Sequence, residues 1–262
     1  PALTFLSLRF ALTLLALAPL IVVVRARWPA PRAIGHLAVA GLLMHALFLS
    51  GVWIAIEHGM PSAMSALIVN MQPILTALWV AWVGERVTRR QWTGLLLGLI
   101  GVALVVSSKW TAGGVSAPNI ALCALALVGI TAGTLYQKRM VPSFDLRTGT
   151  FIQFAASLLL VAPIAVLVET REVAWNAELL FALGWAVLAL SIGAVFLLFR
   201  LIERGSATSV SSLMYLVPPT TAAMAWLLFD EAYGWLAALG MAFAATGVAL
   251  VQTGVVRPSE AR

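Results

Sequence analysis

The fold class this sequence predicts is an all-α polytopic membrane protein built of two inverted five-helix repeats, ten helices expected and nine visible. Three observations predict it. First, the chain is 62% hydrophobic and 10% charged, with a mean hydropathy of +1.01, whereas a soluble domain carries about 25% charged residues. So few charges cannot clothe a water-facing surface, and most of the surface belongs in lipid. Second, the apolar runs show no two-residue alternation, which excludes barrel strands and leaves helices. Third, residues 56–105 recur without gaps at 202–251. The shared positions include Ile56/Ile202, Pro73/Pro219, Glu85/Glu231, Gly94/Gly240 and the run Gly-Val-Ala-Leu-Val at 101–105 and 247–251. Prolines, glutamates and glycines in register point to duplication, and duplication in a membrane chain points to a secondary transporter of two halves.

Nine runs are long enough to cross, given about 20 helical residues per span: 1–24, 35–57, 62–83, 92–108, 118–138, 148–168, 179–202, 208–229 and 233–255. Run 1–24 carries Arg9 and matches 148–168 through Thr4/Thr148, Phe10/Phe154, Ala18/Ala162 and Pro19/Pro163, with Gln153 where the first copy has Arg9. Run 35–57 has His45 near its centre. Run 62–83 is broken in the middle by Pro73, which frees the Val69 carbonyl and is flanked by Asn70, Gln72, Thr76 and Trp79. Run 92–108 carries Gly94, Gly98 and Gly101 for close helix approach. Run 118–138 offers Thr131, Thr134, Tyr136 and Gln137 and has no partner in the repeat, so a first helix is expected upstream of residue 1. Run 179–202 holds Trp185; run 208–229 holds Ser211, Ser212, Tyr215 and the second mid-span proline, Pro219; run 233–255 closes the chain with Gly240 and Gly247. The repeats are therefore 1–108, helices 2–5, and 109–262, helices 6–10, together one membrane domain.

The net charge of +6 does not indicate nucleic acid here, because the basic residues fall in the short breaks. Arg25, Arg27, Arg32, Arg86, Arg89, Arg90, Lys138, Arg139, Arg147, Arg200, Arg204, Arg257 and Arg262 lie on one side, against Lys109 and Arg171 on the other. The positive-inside rule puts the first group and the C-terminus in the cytoplasm, and 62–83 then runs opposite to its copy 208–229. The repeats are inverted.

Each polar residue in a span has two readings. Pro73 and Pro219 are structural kinks or hinges of a moving gate. Asn70, Gln72, Thr134, Gln153, Ser211, Ser212 and Tyr215 bond neighbouring helices or line a wet cavity for substrate. His45 is a neutral, bonded imidazole or a substrate or proton group. Arg9 snorkels outward, or binds a carboxylate and gates the outer vestibule. Trp79 and Trp185 pack against helices or stack on an aromatic substrate. No metal or cofactor is expected: Cys123 is the only cysteine, and neither a His-Glu-x-x-His motif nor a nucleophile elbow is present, so an enzyme reading has no support. All ten acids fall at span ends or in loops. A proton-driven cation exporter needs a buried carboxylate, so a neutral or zwitterionic substrate is expected.

The pair Arg9-Phe10, the mid-span Pro73 followed by the turn Gly84-Glu85, and the glycine-rich helix of Gly94, Gly98 and Gly101 resemble the EamA family of the drug/metabolite transporter superfamily. The Trp-rich and Met-rich spans are similar to those of its YddG-type exporters of aromatic and other amino acids. The resemblance implies a multi-pass protein of the bacterial inner membrane that exports a small molecule by alternating access, with lipids and substrate as its partners and a monomer sufficing. Its rivals are a proton-coupled exporter of lipophilic cations and a membrane scaffold that transports nothing.

Overall fold

Backbone amides and carbonyls buried in lipid must pair within their own segment, and in the computed structural model the described spans do so as helices, with an interruption beside Pro73. The structure describes residues 1–84, 87–107, 116–170, 173–194, 196–197, 200–201, 212–216, 220 and 234–253, and among them there is no strand. Helices stand at eight of the nine expected spans, while 208–229 falls largely outside the described residues. Six helices among the described residues are long and apolar enough to cross a membrane. The chain forms two units, 1–58 with 117–204 and 59–116 with 205–262, each drawing on both halves of the sequence.

In the first unit, α1 (Ala2–Val23) lies along α8 (Leu146–Val168), and Phe10 meets Phe154 with ring centroids 5.4 Å apart. The second span is three pieces: α2 (Pro31–Gly41), a π-helical stretch Leu42–Leu47, and α3 (Phe48–Glu57). Pro31 opens α2, where its missing amide costs nothing. Glycines let α7 (Ala117–Met140) approach this span. A Cβ on Gly51 would lie 2.8 Å from Leu122 O, and one on Gly129 3.0 Å from Leu43 O. The Asp145 carboxylate caps α8 by accepting from Arg147 N at 3.0 Å, and Asn176 caps α9 (Ala177–Trp185) through Leu179 N at 2.8 Å. A second π-helical stretch, Ala186–Ala194, continues α9.

At the other end of α8, Glu169 reaches the first turn of α1 and accepts from Leu3 N at 2.7 Å, Thr4 N at 2.7 Å and Thr4 Oγ1 at 2.6 Å. Burial pushes the carboxyl up, but the Thr4 hydroxyl and the amides of Leu3 and Thr4 outweigh it and hold the group below the usual carboxylate range. A lowered folded pKa gives stability that is present above the unfolded value and lost as pH falls through the folded one. Glu169→Gln is therefore expected to cost about 1 kcal/mol at neutral pH, or about 2–4 °C in Tm. The gap from the parent should close in acid, and an equal gap at every pH would count against this cap.

In the second unit, residues 62–82 form two helices, not one bent one: α4 (Ser62–Val69) ends at Asn70 and α5 (Gln72–Trp82) begins with Pro73 in its first turn. Proline is pre-shaped for that position, and Asn70 Nδ2 donates to Ala66 O at 2.7 Å, so the chain restarts more easily than it bends. Gly84, at φ +94°, turns the chain beyond α5 as no other residue readily does. α6 (Arg89–Ser107) lies along α10 (Trp235–Thr253) at backbone contact. A Cβ on Gly94 would be 2.6 Å from Gly247 O, and one on Gly101 2.6 Å from Gly240 O. Gly94 corresponds in sequence to Gly240 and Gly101 to Gly247, so the contacts exchange partners, which is the pattern a two-fold axis produces.

Candidate functional site

The first unit buries a polar centre where α1, α8, α7 and the two π-helical stretches meet. α8 puts Gln153 and Ser157 one turn apart on one face. The Ser157 hydroxyl lies 2.8 Å from Gln153 O and 3.0 Å from Gly41 O, and a Cβ on Gly41 would fall 2.5 Å from Gln153 Cα. That close approach delivers the Leu42–Leu47 stretch to α8. An inserted π turn re-aims the side chains it carries, and His45 Nε2 comes 3.1 Å from Gln153 Oε1 while its ring stacks on Phe154 at 4.3 Å. Gln153 Nε2 donates to Gln137 Oε1 at 2.7 Å. His45, Gln153 and Gln137 thus form one chain, with His45 Nε2 as a donor because its partner is an amide oxygen. Gln137 Nε2 is buried with no partner among the described residues.

Arg9 completes this centre from α1. Its Nε donates to Ser191 Oγ at 2.8 Å in the second π-helical stretch. The guanidinium is 7% exposed, and among the described residues it makes no ion pair. A buried charge without a counter-charge is costly, and an anionic group beside it would offset that cost.

The repeat relates these contacts. The offset of 144 residues that takes Thr4 to Thr148 takes Arg9 to Gln153, and the offset of 146 that takes Ile56 to Ile202 takes His45 to Ser191. Arg9 meets Ser191 while Gln153 meets His45, again an exchange of partners. Ser191 was not singled out from sequence, and the signal that finds it is this offset applied to His45. Gln137 was noted only as a polar resident of its span, and neither π-helical stretch was foreseen.

The second unit holds its own buried set. Asn70, Gln72, Thr76 and Tyr215 are all buried, and Asn70 Oδ1, Gln72 Oε1, Thr76 Oγ1 and Tyr215 Oη have no hydrogen-bond partner among the described residues. The Tyr215 ring fills the space over Gly98, in a cluster with Ala77, Leu95 and Val102. Ser212 is buried nearby in sequence. Other expected site residues are placed apart. Thr134 spends its hydroxyl on Ile130 O of its own helix, and Trp79 and Trp185 are 51% and 53% exposed, with Trp79 edge-on to Trp82. Ser211 and Pro219 lie outside the described residues. A surface cleft of ≈ 490 Å³ opens at the start of α1 between Phe5, Trp53 and Leu179, but none of the buried polar residues lines it. Among the described residues no Asp or Glu is in the buried set, and no three metal-ligating side chains gather.

Comparison with known proteins gives one consistent answer. The EamA-like transporter family matches residues 1–107 and 118–253. An "Uncharacterized transporter" of Archaeoglobus fulgidus is 26% identical over 219 residues, 82% of this chain and 75% of that protein. The "Uncharacterized transporter YvbV" of Bacillus subtilis is 27% identical over 233 residues, 82% of this chain and 70% of its own length. The "Uncharacterized inner membrane transporter YedA" of Escherichia coli K12 is 25% identical over 228 residues, 85% and 73% respectively. A solved crystal structure, 20% identical, matches the fold with a TM-score of 0.77 over 97% of this chain and 88% of that one.

Proposed function

The chain belongs to the EamA-like transporter family, and from that premise we propose that it carries neutral and aromatic amino acids across the bacterial inner membrane, by export or facilitated diffusion. The observation that carries this reading is the Arg9 guanidinium, buried and, among the described residues, with one neutral hydrogen-bond partner and no acid paired to it. A substrate carboxylate supplies the missing charge, and the bidentate fork of arginine suits it. His45, Gln153 and Gln137 beside it offer donors and acceptors without adding charge. The described spans bury no carboxylate, which supports a substrate of no net charge over a proton-exchanged cation. Asn70, Gln72, Ser211, Ser212 and Tyr215 of the second unit, together with Thr134, Trp79 and Trp185, are further candidates for contact with substrate.

Movement is by alternating access, in two inverted repeats whose hinges are Pro73 and Pro219 and whose gate is Arg9. The exchanged contacts of Arg9–Ser191 with Gln153–His45, and of Gly94–Gly247 with Gly101–Gly240, support the repeat. The basic loops and the C-terminus face the cytoplasm. No second copy is needed.

Purified protein in liposomes tests the reading. Labelled phenylalanine is expected to equilibrate across the vesicle wall faster than in protein-free vesicles, with no need for a pH gradient. Flux of a quaternary ammonium dye that collapses with the gradient, together with no amino-acid flux, would overturn it in favour of the proton-coupled exporter.

A further inference from the structure

Among the described residues, the break between α4 and α5 leaves several buried oxygens without a hydrogen-bond partner. Pro73 has no amide to give the Val69 carbonyl. Met71 N donates to Ile68 O at 3.1 Å, so Leu67 O does not receive it. Asn70 sends both its backbone N, at 2.9 Å, and its side-chain Nδ2, at 2.7 Å, to the single acceptor Ala66 O, and Ile74 N and Leu75 N both go to Met71 O at 3.1 Å. Four donors of the break are thus doubled up on two carbonyls. Around them Asn70 Oδ1, Gln72 Oε1 and Thr76 Oγ1 are buried and unpartnered, with Gln72 and Thr76 one turn apart on the same face of α5. Tyr215 Oη is a fourth such atom, on a ring whose cluster is packed against by Leu67 of α4 and Ile74 of α5.

The sign of the missing partner follows. Asn70 is oriented by its bond to Ala66 O, which leaves its oxygen free. The end of α4 presents the negative pole of a helix, while the positive pole of α5 is muted because Pro73 lacks an amide and the amides of Ile74 and Leu75 are spent on Met71 O. A divalent ion favours carboxylates, and among the described residues none is buried. We propose that this break is a binding site for a monovalent cationic group, an alkali-metal ion or a primary ammonium, held by neutral oxygens alone. Carbonyls of an interrupted membrane helix and neighbouring hydroxyls and amides are the donor set such a group takes.

The site stands whether or not amino acids are the cargo, and the experiment separates the two. Thermal unfolding of the purified full chain is followed in NaCl, KCl and N-methylglucamine chloride at equal ionic strength, then with phenylalanine, phenethylammonium and N-acetylphenylalanine. At ten times Kd a bound cation raises Tm by about 3–5 °C. A rise with Na⁺ or K⁺ over N-methylglucamine identifies an inorganic ion. A rise with phenylalanine and phenethylammonium but not with the N-acetyl compound identifies the ammonium of the substrate. Q72M/T76V removes two orphan oxygens with little change of shape, so it is expected to be no less stable without ligand and to lose the rise. No rise with any probe, or a rise that survives in Q72M/T76V, overturns the site. Phenylalanine flux without either rise leaves the amino-acid reading standing and removes the site; a rise without phenylalanine flux does the reverse.

Discussion

Replacing Arg9 by alanine is expected to cut carboxylate binding and flux by at least ~30-fold, while the protein remains as stable as the parent or more so. The two effects have one cause. The guanidinium is buried beside Ser191 and makes one neutral hydrogen bond, so the empty protein already bears the desolvation of an unpaired charge. Removing it relieves that cost. In the loaded protein the same group faces an anion, and truncating one member of a buried charged pair costs about 2–5 kcal/mol of binding. Arg9→Lys keeps the charge and loses the planar fork, and an intermediate flux is expected. Thermal unfolding and phenylalanine flux, measured on the same preparations, decide it. If Arg9→Ala unfolds well below the parent, the residue is a structural bond. If both stability and flux are unchanged, it has no part in binding.

The second large effect is structural. A Cβ on Gly101 would lie 2.4 Å from Ala244 N and 2.6 Å from Gly240 O, both backbone atoms that cannot swing aside. Gly101→Ala must push α6 and α10 apart, and overpacking of this kind costs about 1–3 kcal/mol. Gly101→Val adds two methyl groups to the clash and should exceed that range, lowering Tm by ~10 °C. Gly247→Ala, whose Cβ would meet Gly94 O at 2.5 Å and Gly98 N at 2.6 Å, should behave alike. Gly184→Ala in α9 is the control. Nothing lies within 4 Å of its Cβ position, so the gain in helix propensity is expected to leave it neutral or stabilised. Equal Tm values for Gly101→Ala and Gly184→Ala would refute the close approach of α6 and α10.

Spans were legible because the energy of placing a segment in lipid is a sum over its own residues, and 1–24, 118–138 and 148–168 read off directly. Faces were not. Mid-span depth left Trp79 and Trp185 open to helix packing or to substrate stacking and did not say which way they face; both are about half exposed. Lipid tails are as apolar as leucine, so a membrane helix need not segregate its faces and has no stripe to read. The proline rule located the interruption at Pro73 correctly but promised a bend where the chain starts a new helix at Gln72. The π-helical stretch around His45 was invisible, because it depends on contacts with α7 and α8 at Gly133, Gly129 and Gly41, partners distant in the chain. His45 itself was found as an ionisable group at mid-span. Its pairing with Gln153 was not, since one-dimensional spacing says nothing of which helices adjoin.

The exchanged contacts of the first unit have a consequence for the evolution of vectorial chemistry. On the proposed repeat the centre has two equivalent seats, and one holds arginine with serine while the other holds glutamine with histidine. On that reading Arg9, Ser191, Gln153 and His45 set the fore-and-aft asymmetry of the centre, and exchanging Arg9 with Gln153 and Ser191 with His45 is expected to reverse its polarity.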